Sequence, residues 1–138
     1  MLRRLTEKKE KLQQATNEIA AESAKGTLII VEGKKDVDTL RSFGITGPIL
    51  TAKTGGKSFT QLLNEIELTH PKKVVLLLDF DRRGKEATAR FTASLERARI
   101  KPDLTFWRTL RALVGREVQC IESLTSYAQT LEQKTAKM

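Results

Sequence analysis

An α/β fold with about four parallel strands and helices on both faces is predicted by three features of this sequence. Short unbroken apolar runs, such as Val74-Val75-Leu76-Leu77-Leu78, are bounded by turn signals. Such runs are the mark of strands buried on both faces. They alternate with stretches of helical pattern, as a parallel sheet requires. Acids stand at the carboxyl ends of two of them, Glu32 after one and Asp79 and Asp81 after another. Open α/β sheets place their ligands at that end.

Taken in order, residues 2–25 read as a helix. Leu5, Leu12 and Ile19 recur at seven, but Lys9 and Thr16 interrupt a second seam running from Leu2. Such a helix docks on its own domain, pairs with a second chain as a homodimer or in an assembly, or stays partly loose, and docking is favoured. Gly26 ends it. The first strand is expected at 28–31, closing on Glu32-Gly33, where the glycine permits positive φ or close backbone approach. Lys34 opens a helix that Gly44 and Gly47-Pro48 close. A second strand is expected at 49–51 and runs into Lys53-Thr54-Gly55-Gly56-Lys57-Ser58. A helix follows at 59–68.

The third strand, 74–78, leads into Asp79-Phe80-Asp81, and a helix is expected from Gly84 to Arg99. Residues 100–103 read as a turn and 104–106 as a fourth strand, from the β-rich Leu104-Thr105-Phe106-Trp107. Residues 110–134 read as helical, with a break at Val114-Gly115. Leu28, Ile30, Val75 and Leu77 are expected in the core.

The chain has 138 residues and a net charge of +8, with 25 Lys and Arg against 17 Asp and Glu. From Pro71 onward 14 basic residues face 8 acidic ones, whereas between Gly26 and His70 the counts are 5 and 5. The excess points to a polyanionic partner, nucleic acid before an anionic membrane surface. Cys120 is the single cysteine. It permits no internal disulfide and no cysteine-based zinc cluster, fits a reducing compartment, and reads as a buried structural thiol. His70 reads as a loop residue. No segment is apolar enough to span a membrane and the amino terminus lacks a signal-peptide core. A cytoplasmic location is therefore expected.

Asp79 and Asp81 lie at i and i+2 and so face the same way along an extended strand. Two close anions call for a cation such as Mg²⁺, although an Asp after a strand also serves as a plain helix N-cap. Gly55-Gly56-Lys57-Ser58 matches the end of a P-loop, but Thr51 stands where its first glycine belongs. A phosphate-binding turn with Lys57 adding charge, and a plain tight turn, both stay open there.

Glu32-Gly33 after one apolar strand and Asp79-x-Asp81-x-x-Gly84 after another, in that order, resemble the Toprim family. That family is shared by primases, topoisomerases, OLD-family nucleases and ribosomal-RNA maturation ribonucleases. The resemblance covers residues 26–108 and is nearest to the small stand-alone archaeal proteins. It implies an N-terminal helix at 1–25, a Rossmann-like Toprim domain at 26–108 and a helical extension at 109–138. Arg83 stands where topoisomerase-type members carry a further acid, so the match is closer to the primase and maturation-nuclease pattern.

The resemblance implies phosphodiester chemistry with Mg²⁺. Glu32 would be the general acid or base and also face the metal, and Asp79 and Asp81 would bind it. Asp36, Asp38 and Glu86 are outer candidates. Lys34, Lys35, Arg82, Arg83 and Lys85 flank the acids and would meet the phosphate backbone. The leading expectation is a Mg²⁺-dependent nuclease on structured RNA, RNA before DNA. The alternatives are a non-catalytic RNA- or DNA-binding module in a larger complex and a small-nucleotide phosphotransferase.

Overall fold

The computed structural model describes residues 2–53 and 58–136. Residues 54–57, and with them Lys57 and the Gly55-Gly56 turn, lie outside the described residues. The elements run α1 (Leu2–Ala24), β1 (Leu28–Val31), α2 (Lys34–Ser42), β2 (Ile49–Thr51), α3 (Phe59–Leu68), β3 (Lys73–Leu77), α4 (Arg82–Arg97), β4 (Lys101–Asp103), α5 (Thr105–Val114) and α6 (Leu124–Ala136), with a 3₁₀ turn at Ile121–Ser123 before α6. The strands form one sheet in the order β2-β1-β3-β4, and every pairing is parallel. This is the α/β architecture expected, a Rossmann-like sheet between two helical layers.

Alternation along the central strands feeds two apolar clusters. Ile29, Val31, Val75 and Leu77 face one side, where they pack with residues of α1, α2, α5 and α6. Ile30, Val74, Leu76 and Leu78 face the other, against α3 and α4. Neither face of β3 meets water: Val74 through Leu78 are all fully buried. Each such side chain contributes about 1.5–3 kcal/mol of burial. Of the four residues expected in the core, Ile30, Val75 and Leu77 are buried, and Leu28 at the start of β1 is half-buried.

α1 docks on its own chain, along α5 and α6. Leu12, Ala15, Thr16, Ile19 and Ser23 form its buried stripe, a helical spacing that Thr16 joins because its hydroxyl donates to the Gln13 carbonyl at 3.0 Å. Lys9, the other interruption, reaches Glu132 of α6 at 2.8 Å. The stripe a second chain would have used is thus covered by this chain's own helices.

The fourth strand is not where the composition placed it. β4 is Lys101–Asp103, paired with β3 through Lys73 and Lys101, in the stretch read as a turn. The expected strand at 104–106 is instead the start of α5. Two forces decide this. The Asp103 carboxylate accepts the Thr105 N–H at 3.0 Å and so turns the chain just before the helix. Phe106, Trp107, Leu110 and Val114 then make a helical stripe that is buried along its length. Pro102 is tolerated because β4 is the edge strand. The expected break at Gly115 is real. However, residues 115–123 are loop and 3₁₀ turn, not helix. Cys120 in this loop is half-buried, its Sγ 3.1 Å from the Ser123 hydroxyl.

A candidate metal and phosphate site at the carboxyl ends of β1 and β3

β1 and β3 pair through Val31 and Leu77, so Glu32 and Asp79 leave neighbouring strands at the same end of the sheet. Each is pinned by backbone. The Glu32 carbonyl accepts the Lys53 N–H at 2.9 Å, which carries the β1–β2 pairing past the last strand residue. On the β3 side the Leu78 carbonyl accepts the indole N–H of Trp107 at 2.9 Å, inside the core. The Phe80 N–H donates to the Gln119 carbonyl at 2.7 Å, and the buried Phe80 ring lies 6.1 Å from that of Trp107. Gly84 closes the loop from below. A Cβ there would sit 2.0 Å from the Asp79 carbonyl oxygen, so only glycine lets the first turn of α4 pass this close. The Asp-x-Asp-x-x-Gly spacing has a steric cause.

Gly33 has a different basis from the one expected. Its φ is −151°, extended backbone open to any residue, and a Cβ there would meet nothing within 4 Å among the described residues. The space in front of it is open.

Asp81 is the N-cap of α4, its Oδ1 accepting the Gly84 N–H at 2.8 Å. The residue is exposed, and its other oxygen carries no hydrogen bond among the described residues. Asp36 is buried in the first turn of α2. One of its oxygens accepts the Gly33 N–H at 3.0 Å and the other the Glu122 N–H at 2.9 Å. Burial, before any charge, pushes its carboxyl above the ordinary range. Asp38 is exposed, and Glu86, also exposed, pairs with Arg82 at 3.2 Å.

Asp79 carries the clearest sign of strain. Its carboxyl is pushed up from 3.8 to about 7, first by burial, then by the charges of Asp36, Glu32 and Asp81, with Lys53 opposing. Its Oδ1 and the Oε2 of Glu32 are buried carboxylate oxygens with no hydrogen-bond partner among the described residues. Leaving such atoms unpaired is costly. The other Glu32 oxygen lies 3.7 Å from Lys53 Nζ.

These donors suit Mg²⁺ in kind: hard carboxylate oxygens, two of them buried and unpartnered, in a knot of negative charge. Among the described residues no three such side chains gather round one point as placed. That agrees with the habit of Mg²⁺, which takes one or two carboxylates and completes its shell with water and phosphate oxygens.

The expected cations ring this end. Lys34 and Lys35 are exposed in the first turn of α2, and Arg82, Arg83 and Lys85 in that of α4. There they oppose the positive end of the helix dipole, a placement unfavourable for the helices themselves. Three contributors escaped the sequence: Lys53, which touches Glu32; Asp36 as a tie rather than an outer ligand; and the 119–122 backbone. Only Lys53 had a local signal, two residues past the end of a strand.

Residues 27–105 match the Toprim domain family. This chain belongs to the Toprim family. Toprim domains carry metal-dependent nucleic-acid chemistry and generally bind Mg²⁺ through acidic residues. Among curated relatives, a UPF0292 protein of Methanosarcina barkeri is 31% identical over 127 residues, covering 91% of this chain and 86% of the relative. Another, from Methanocaldococcus jannaschii, is 34% identical over 119 residues, covering 86% and 90%. These are small archaeal proteins, as the resemblance to stand-alone Toprim proteins implied. A solved structure of a protein from Aquifex aeolicus superposes with a TM-score of 0.67 at 24% identity, over 80% of this chain and 94% of that one. That likeness shows a shared fold. No described helix is long and apolar enough to cross a membrane.

Proposed function

We propose that this Toprim protein carries out Mg²⁺-dependent phosphodiester chemistry on nucleic acid, as a nuclease on structured RNA. The observation that carries the reading is the pair of buried carboxylate oxygens, Glu32 Oε2 and Asp79 Oδ1, on adjacent strand ends and unpartnered among the described residues. Asp79 and the free oxygen of Asp81 would hold the metal, with Glu32 at its edge. When bound, the ion neutralises charge on the phosphate and its leaving oxygen. Glu32 holds or releases a proton at Oε2. Lys34, Lys35, Arg82, Arg83 and Lys85 bind phosphates on either side. Gly33 leaves room for the backbone to approach.

A second reading, a non-catalytic binding module within a larger complex, rests on the engagement of Asp81 as an N-cap and on the absence of a preassembled three-acid cage among the described residues. Labelled structured RNA and duplex DNA, incubated with Mg²⁺ or with EDTA, separate the two. The nuclease reading expects Mg²⁺-dependent cleavage, lost in Asp79→Asn and Glu32→Gln, with binding retained. A wild type that binds without cleaving makes the protein a binding module. Variants that cleave at the wild-type rate remove these acids from the active site.

A further inference from the structure

A groove of about 500 Å³ opens beside the acid site, lined by Phe80, Lys85, Arg108, Arg111, Arg116 and Gln119. Phe80, one of its lining residues, stands between Asp79 and Asp81 in the chain, and the carbonyl of Gln119, another, accepts the Phe80 N–H. Its four cations come from three elements: the first turn of α4, the exposed face of α5, and the loop after it.

None of the four makes an ion pair with a carboxylate among the described residues. The acids next to them in sequence are turned elsewhere, Glu117 to Lys8 of α1 at 3.0 Å and Glu86 to Arg82 at 3.2 Å. α5 itself holds Arg108 and Arg111 and no acid. The guanidinium of Arg111 lies 5.4 Å from the Trp107 ring centre, which fixes its stem without neutralising it. Four uncompensated cations around one groove repel one another, and a line of anions relieves that.

The groove also lacks what a single strand would use. Phe80 and Trp107 are the aromatic residues beside it, and both are buried, so neither offers a face for a base to stack on. Phosphates are what remains to be recognised.

Building on the proposed nucleic-acid role, we infer that this groove seats the phosphate backbone of a duplex segment, which it holds against the acid site without reading sequence. Arg108, Arg111 and Arg116 contact phosphates, and Lys85 joins the groove to the acid site.

The test is binding of the full chain in EDTA to an RNA duplex, a DNA duplex of the same sequence and a single strand of equal length, over a salt series. The variant Arg108→Ala/Arg111→Gln/Arg116→Ala should bind both duplexes about tenfold or more weakly and lower the log–log salt slope by about 2–3. Thermal melting checks its fold. Should it unfold, Arg108→Ala/Arg116→Ala keeps Arg111 on Trp107 and should lower the slope by about 2. If the groove variants match wild type in affinity and slope while Arg82→Ala/Arg83→Ala weakens binding, the groove assignment is overturned and the acid-site reading stands. Tighter binding of the single strand than of either duplex overturns the duplex assignment. Displacement of the duplex by polyglutamate at equal charge would mark the groove as a site for acidic protein instead. A wild type that binds none of the probes overturns both readings.

Discussion

At the end of β3, Gly84 lies packed against the backbone of Asp79, with no room for a Cβ; at the end of β1, Gly33 faces open space in an ordinary extended conformation. The two glycines look alike in sequence and answer to different demands. The two first-turn aspartates differ in the same way. Asp81 caps α4 from the N-cap position and keeps one oxygen free, whereas Asp36 reaches back from the third helical position of α2 and has both oxygens engaged. Each supplies one half of a capping box. The β3 end is fixed by close packing as well as by hydrogen bonds, so its residues hold position. The β1 end is fixed by hydrogen bonds and leaves space, so a substrate can approach there.

The largest expected effect breaks the β3 side. Gly84→Ala should cost about 3 kcal/mol or more, because the added methyl meets backbone that cannot turn away. Urea unfolding measures it, and a loss under about 0.5 kcal/mol would erase the contrast between the glycines.

Next comes Asp79. Its folded pKa of about 7 lies above its ordinary 3.8, so between those values the folded state binds the extra proton. Metal-free protein should therefore lose stability as pH rises from about 4 to about 7, by roughly 2 kcal/mol after screening at this half-buried group. Asp79→Asn should flatten that slope and melt a few degrees higher than wild type in EDTA at pH 8. Thermal melts across pH read both, and equal slopes would show that Asp79 bears no such strain.

The smallest effect sharpens the β1 side. Gly33→Ala should leave stability within about 0.5 kcal/mol of wild type, since none of the described residues occupies the space its methyl would enter. Any loss of nucleic-acid binding or turnover would then report a substrate passing over Gly33. A large loss of stability would remove the distinction.

Much of this was legible because parallel strands announce themselves. β1 and β3 are continuous apolar runs, and the acids stand just beyond them. β4 was not legible: Lys101-Pro102-Asp103 is polar, and as an edge strand it owes its conformation to the main chain of β3. The β-rich letters at 104–107 misled because Phe106 and Trp107 belong to a helical stripe completed only at Leu110 and Val114. At the site, Glu32, Asp79 and Asp81 could be read from local spacing. Asp36 could not, since its second partner, the Glu122 N–H, lies 86 positions away. The cations of α5 were hidden for another reason, because the start of the helix that carries them was read as strand.

That distant tie bears on the order in which the molecule is made. The Gln119 carbonyl holds Phe80, the Glu122 N–H holds Asp36, and the Glu122 carbonyl accepts the Thr39 hydroxyl at 3.3 Å. Four consecutive residues thus clasp both acid-bearing loops from the far end of the chain. During synthesis the two loops leave the ribosome well before their clasp does. A nascent chain can pair β1 with β3 while its acids are still unset, and the site takes its final form only after residue 122 has emerged.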